Sequence, residues 1–402
     1  MGIIEKNVNF SVSVSLTALK LFGFWAPEGL TREQKIFYNC YGFLSFMFLL
    51  GTYLITQVVD LFLIWGDVAL MTGTAFVLFT NLAQTTKIVA VVARVGTLRP
   101  LVSNADQLLA AETGPGKEIV DSCNRETRQQ QLVYLCLTTV TVAGWAGSAE
   151  NNQLPLRAWY PYDTSMSPAY ELTYLHQVGA LFAAAYLNVG KDTLVTSLIA
   201  QARCRLRLAA LRLASLTDDL TPTGTLTAEQ EAEAWSRLEV AARRHQEALH
   251  AAAQLQACFS APVFAQFGVS MLIICVTAFQ LTAQTGNLVR LASMGTYLLN
   301  MMFQVFIYCY QGNQLSEESI DIATAVYSCG WTSCGVRLRR GLLLVMVRAR
   351  RAARLSAGGF ATLSLASFMA VSINKHTSNT LTVMQSVVSG TQVISFKVDC
   401  CL

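Results

Sequence analysis

Along the chain, long apolar runs alternate with short polar intervals rich in arginine and lysine. A helix needs about 20 mostly apolar residues to cross the ~30 Å hydrocarbon core of a bilayer, and seven stretches predict such spans. Phe37–Val59 holds no charge, and Val68–Thr86 follows a tight link at Asp67. Gln131–Ala149 is shorter and rich in threonine, while Leu172–Gly190 carries no charge beyond a neutral His176. A fifth run begins near Phe259 inside the uncharged interval from Ala251 to Val289, and Leu291–Leu315 is the sixth. The seventh reaches from about Ser356 to Val388 and is interrupted by Lys375 and His376.

The intervals between runs are themselves patterned. Residues 195–216 set Leu206, Leu208, Leu211, Leu213 and Leu216 among Arg203, Arg205, Arg207 and Arg212, which predicts a helix prolonging the fourth span. Asp218, Asp219, Pro222 and Gly224 break it, and Thr227-Ala-Glu-Gln230 reads as a capping box opening a second long helix. The interval 150–170, with three prolines and Trp159, Tyr160 and Tyr162, predicts an ordered lid. The fold class is therefore all-α: a polytopic membrane protein with seven transmembrane helices.

Composition agrees. The chain has 402 residues, 53% hydrophobic and 13% charged, against roughly 25% charged for soluble domains. Much of its surface must face lipid. Orientation follows from the placement of lysine and arginine. With the N-terminus cytoplasmic, residues 1–35, 94–130, 200–255 and 313–357 all lie inside and hold 23 of the 29 basic residues. The outer loops keep Arg157 and Arg290, with Lys397 in an extracellular C-terminal tail. The only N-glycosylation sequon, at Asn9, then falls inside. The net charge of +4 gives no reason to expect nucleic acid as a partner. No cleavable signal peptide is visible, since residues 1–20 carry Glu5 and Lys6 before a weak apolar stretch, and insertion is expected to start from an internal span. Eleven scattered cysteines, most of them in or beside apolar runs, read as buried thiols, not a disulfide scaffold or a metal site. No enzyme or cofactor signature occurs, and the four histidines are dispersed.

Several segments resemble the insect odorant receptor family: Leu21-Phe-Gly-Phe-Trp-Ala-Pro27, Pro155-Leu-Arg-Ala-Trp-Tyr-Pro-Tyr-Asp163, and Ser167–Gln177. The most diagnostic block is C-terminal, spanning Cys309–Ser319, Ala325–Trp331, Arg339–Arg350 and Gly359–Phe368. The resemblance covers about residues 15–388. The related gustatory receptors carry a Thr-Tyr motif and a terminal Gln-Phe in the last span, whereas Thr380-Leu-Thr-Val-Met-Gln-Ser386 fits odorant receptors better. That resemblance implies a subunit that binds a small volatile odorant and, with shared co-receptor subunits in a heterotetramer, opens a non-selective cation pore in the cell membrane of sensory neurons. It also implies a chain organised as a cytoplasmic segment (1–35), spans 1–4 (36–200), a cytosolic helical extension (201–256), spans 5–6 (257–315), a cytosolic anchor helix (316–357), a pore-lining last span (358–388) and an extracellular tail (389–402).

The implied pocket lies in the outer halves of spans two, three, four and six. A cavity for a small volatile should be apolar with few polar groups. The second span offers Thr74, Phe76 and Phe79, and the third Thr138, Thr141 and Trp145, spaced to share one face. The fourth offers Val178 and Phe182, and the sixth Met294, Tyr297, Leu298 and Met301. In the last span, Lys375, Asn379 and Ser386 would line an aqueous pore, and Val383 and Val387, four apart, match the family's hydrophobic gate. Lys87 reads as an interfacial anchor that snorkels from the inner end of span two. A receptor signalling through a soluble transducer needs the opposite topology, and a transporter would show internal repeats.

Overall fold

The structure is a computed structural model that describes residues 10–373, apart from 28, 67, 148–153, 157, 165, 221–223 and 284–287. Its first helix, α1 (Phe10–Leu21), lies in a stretch whose sequence pattern is weak. A capping box then opens α2 (Arg32–Phe46), where Thr31 and Gln34 exchange side-chain and backbone bonds of 3.1 and 3.4 Å. A π-turn at Met47–Gly51 joins α2 to α3 (Thr52–Leu63), and together they form the first long run. Next come α4 (Val68–Ala93) and α5 (Val95–Ala110), bent by 74° at their junction. The remaining long helices are α6 (Pro115–Gly147), α7 (Ala169–Ala214), α8 (Ala228–Ala283) and α9 (Leu288–Ser328). The capping box at Thr227 forms as the sequence predicts, with Gln230 Oε1 accepting from Thr227 N at 2.9 Å.

The bundle is built around α7, in which every residue from Leu187 to Cys204 is buried. A helix enclosed on all sides belongs at the centre of a bundle. Leu194, Leu198 and Leu206 meet Val305 and Leu315 of α9, Phe259 and Val263 of α8, and Leu16 and Leu19 of α1. Large apolar side chains also stand exposed, among them Phe37, Phe43, Phe48, Ile55 and Phe62 on α2, the π-turn and α3, Val89 on α4 and Leu299 on α9. Exposed apolar area on this scale marks a surface made for lipid. Among the described residues α8 and α9 are long and apolar enough to cross a bilayer by length and composition, and the bent pair α4–α5 joins them if it is one span. The centrally placed α7 instead hides Asn188, Lys191 and Asp192 from its surroundings.

Two boundaries differ from the sequence reading. Residues 316–357 do not form one helix: α9 ends at Ser328, and α10 (Val336–Ala349) starts after a turn containing Gly330 and Gly335. Thr217 Oγ1 accepts from Gly330 N at 3.2 Å and fixes this turn against the end of α7. The last span starts late, because β1 (Ser356–Ala357) and β2 (Ala361–Thr362) pair in a tight antiparallel hairpin. Gly358 and Gly359, at φ 61° and 80°, make its turn, and α11 (Leu365–Ile373) follows.

At Gly312 in α9 a Cβ would lie 2.5 Å from Leu363 Cβ and 2.6 Å from Leu363 O, just before α11 begins. Gly312→Ala should therefore push the hairpin off α9 and cost about 1–3 kcal/mol. A lower melting temperature of the purified protein checks this; an unchanged one refutes the close approach.

Candidate functional site

Between α4, α6, α7 and α9 lies a cavity with about 70 Å³ of room for the centres of water-sized spheres. Sequence order along each helix gives it two ends. One end is closed by Val77, Trp145, Leu181 and Leu156, the last of these from the interval 150–170. Gln177 holds that interval, accepting from Leu156 N at 3.3 Å and donating to Leu156 O at 3.1 Å and to Tyr160 OH at 3.0 Å. At the other end sit Gln84, Thr138, Asn188 and Asn300, with Thr138 Oγ1 donating to Asn300 Oδ1 at 3.2 Å. Midway, the hydroxyls of Thr80 and Tyr297 share a 2.6 Å hydrogen bond. Among the described residues, no charged side chain lines the cavity.

Thr138, Thr141, Trp145, Tyr297 and Met301 all line this space. Met294 lies just outside it, packed with Trp145 and Tyr297. Thr74 is buried and donates to Asp60 at 2.8 Å, so its hydroxyl is committed to α3. Phe182 stacks on Tyr186, and neither it nor Phe79, Val178 or Leu298 lines the cavity. The side chain of Phe76 lies outside the described residues, as do Lys375, Asn379, Val383, Ser386 and Val387. The sequence reading missed Gln84, Asn188 and Asn300, polar residues one helical turn deeper than the aromatic stripes that draw attention. Their one signal in the sequence is an amide inside an apolar run, which needs a partner or a ligand and so does not by itself separate packing from binding.

Directly beyond the polar end is a buried charge cluster. Asp192, fully buried, accepts from Lys87 Nζ at 2.6 Å, Tyr308 OH at 2.8 Å, Tyr134 OH at 3.0 Å and Gln304 Nε2. Asn188 links it to the cavity, donating to Tyr134 OH and accepting from Lys87 Nζ, both at 3.4 Å. Lys191 Nζ caps Gln84 O at 3.2 Å. Lys87 is thus no snorkelling anchor. It is 5% exposed and points into the bundle, because the carboxylate on α7 gives its charge a better partner than the interface does.

At the end of the bundle away from the lid, α7, α8, α9 and α10 leave the spans and pack a second core. Leu213, Leu238, Ile322, Leu338 and Leu342 meet there. Arg203 forks onto Glu126 at 2.5 and 3.0 Å. Burial works against the ionised Glu126, but the Arg203 fork outweighs it and holds the carboxyl below its ordinary range. This module is a second constructed region, distinct from the cavity.

Long helices with exposed apolar faces surround a cavity that Leu156 of the interval 150–170 helps to close, and a second helical core packs beyond it. A family model, described as 7tm Odorant receptor, matches residues 67–373. The chain belongs to that family, which is not a family of enzymes. Odorant receptor 46a (isoform A) of Drosophila melanogaster is 26% identical over 280 residues, covering 68% of this chain and 71% of that one. Odorant receptor Or1 of Anopheles gambiae is 26% identical over 332 residues, covering 75% and 78%. The fold matches the insect olfactory receptor OR5 of Machilis hrabei in complex with eugenol, with a TM-score of 0.77 and 16% identity over 94% of this chain and 98% of that one.

Proposed function

We propose that this chain is the odorant-tuning subunit of a ligand-gated, non-selective cation channel, working as a heterotetramer with shared co-receptor subunits in sensory-neuron membranes. The observation that carries the reading is the lidded cavity, bounded at one end by Trp145 and Leu156 and, among the described residues, lined by no charged side chain. Such a space suits a small neutral volatile and disfavours ions. The related receptor that holds eugenol supports the same kind of ligand.

In this reading the N-terminus is cytoplasmic and the C-terminus extracellular, as the basic-residue asymmetry favours. The second core, with residues 313–357, then lies in the cytosol and anchors subunits to one another. Val383 and Val387 form the gate, and Lys375, Asn379 and Ser386 face the aqueous path. No cofactor or metal enters the mechanism.

Whole-cell recording with and without the co-receptor, against a panel of volatiles, tests the proposal. Odorant-evoked cation current that needs both subunits supports it. Trp145→Ala should keep surface expression and shift odorant potency by about tenfold or more, because a large ring is removed from the cavity wall. No current from any volatile, while the co-receptor's own agonist still opens channels, would overturn the reading. An unchanged dose–response for Trp145→Ala would remove that residue from the site.

A further inference from the structure

The cavity is amphipathic along its length. Each of the four helices contributes a polar side chain at the end away from the lid: Gln84, Thr138, Asn188 and Asn300. Several of their hydrogen-bonding groups are already paired. Thr138 is bonded to Asn300, and Asn188 is held on both sides by Tyr134 and Lys87. Higher up, Thr141 donates to Leu137 O at 2.7 Å, and Asn81 donates to Gln57 at 3.1 Å. Gln84 differs. Its backbone carbonyl takes Lys191 Nζ, yet its side-chain oxygen Oε1 is buried with no hydrogen-bond partner. The residue is 4% exposed and lines the cavity.

A buried acceptor without a donor is costly, and one beside a ligand cavity is satisfied most directly by the ligand. Among the described lining residues there is no carboxylate to pair with an ammonium head and no cationic side chain to pair with a carboxylate. We propose that the ligand of this cavity is a neutral hydroxyl compound, an alcohol or phenol. Its O–H donates to Gln84 Oε1 at the polar end, and its apolar body lies toward Trp145, Leu156 and Leu181. Ethers and esters of the same shape bring only acceptors to this point and leave Gln84 Oε1 unpaired. Selectivity of this kind is strong because the penalty falls on the binding site itself. The inference rests on the odorant-binding reading above and names the chemical class that reading leaves open.

The test uses matched series, in which straight-chain primary alcohols and alkylphenols are each compared with their methyl ethers and acetate esters. Currents are recorded from the chain co-expressed with the co-receptor. In parallel, binding to the purified, detergent-solubilised chain is read by quenching of tryptophan emission. For the pairs that act at all, the alcohol or phenol should be about tenfold or more the stronger partner. Gln84→Met, close in shape but without the acceptor, should bring that ratio near one, mainly by weakening the hydroxyl compounds. If the variant fails to reach the surface, the ratios of the unaltered protein decide alone. Ethers or esters that match or exceed the alcohols overturn the proposal, as does a hydroxyl preference that survives Gln84→Met. If no compound of any class binds or evokes current, the odorant-binding reading itself fails, an outcome distinct from ligands that act with the wrong chemistry.

Discussion

Asp192→Ala should remove nearly all folded receptor from the cell surface. The carboxylate is fully buried and joins four helices, through Lys87 on α4, Tyr134 on α6, its own α7, and Gln304 and Tyr308 on α9. Removing it orphans two phenols and an amide and leaves the Lys87 ammonium without a counter-ion. Breaking one side of a buried pair costs about 3–5 kcal/mol, a large share of the 5–15 kcal/mol that holds most proteins folded. Asp192→Asn should be milder, because the amide oxygen still accepts, though the Lys87 charge stays uncompensated. Lys87→Met combined with Asp192→Leu removes both charges and should recover part of the surface expression that either single change loses. Surface biotinylation and the melting temperature of the purified protein measure the cycle. Strict additivity of the two single effects would mean the pair is not coupled.

The cluster also shows what the sequence makes legible and what it hides. Long helices are visible in the apolar runs, and the box at Thr227–Gln230 marks where α8 starts because its chemistry is local. The centre of α7 is harder. Lys191 and Asp192 follow the apolar run Leu172–Gly190 and look like its polar end, yet α7 continues through them, buried, to Cys204. Whether a charge ends a span or sits inside the bundle depends on what the neighbouring helices bring to it, and Lys87 and Tyr308 are distant in sequence. The cavity is legible to a similar degree. Trp145 and Tyr297 stand out as large side chains on patterned faces. Gln84 and Asn188 gain meaning only when four helices converge, since a lone amide in an apolar run reads equally well as packing. The hairpin at Ser356–Thr362 escapes the pattern because four of its seven residues are alanine or glycine, which hold no periodicity.

The helical module beyond the spans should lose stability as the pH falls, with His245 as its principal sensor. This imidazole sits on α8 and is buried, and its Nε2 has no partner. Burial, aided by the nearby Arg348 guanidinium, lowers its pKa from 6.5 to about 4. A folded-state pKa below the unfolded value means the folded form resists the proton. The neutral ring is accommodated fully above pH 6.5, and stability drains as the pH drops from there toward 4. The loss is roughly 1.4 kcal/mol per pH unit across that window. Glu126, held low by Arg203 against the opposing effect of burial, changes stability in the same direction at lower pH. Glu318, raised by burial in spite of Arg207, works the other way and offsets part of the acid loss. Thermal unfolding of the purified protein should therefore show a falling midpoint between pH 7.5 and 5. His245→Leu keeps the volume apolar and removes the proton site, so it should flatten that slope while leaving the midpoint at pH 7.5 close to its original value. A slope that persists in His245→Leu would place the acid sensitivity elsewhere, with the carboxylates first in line.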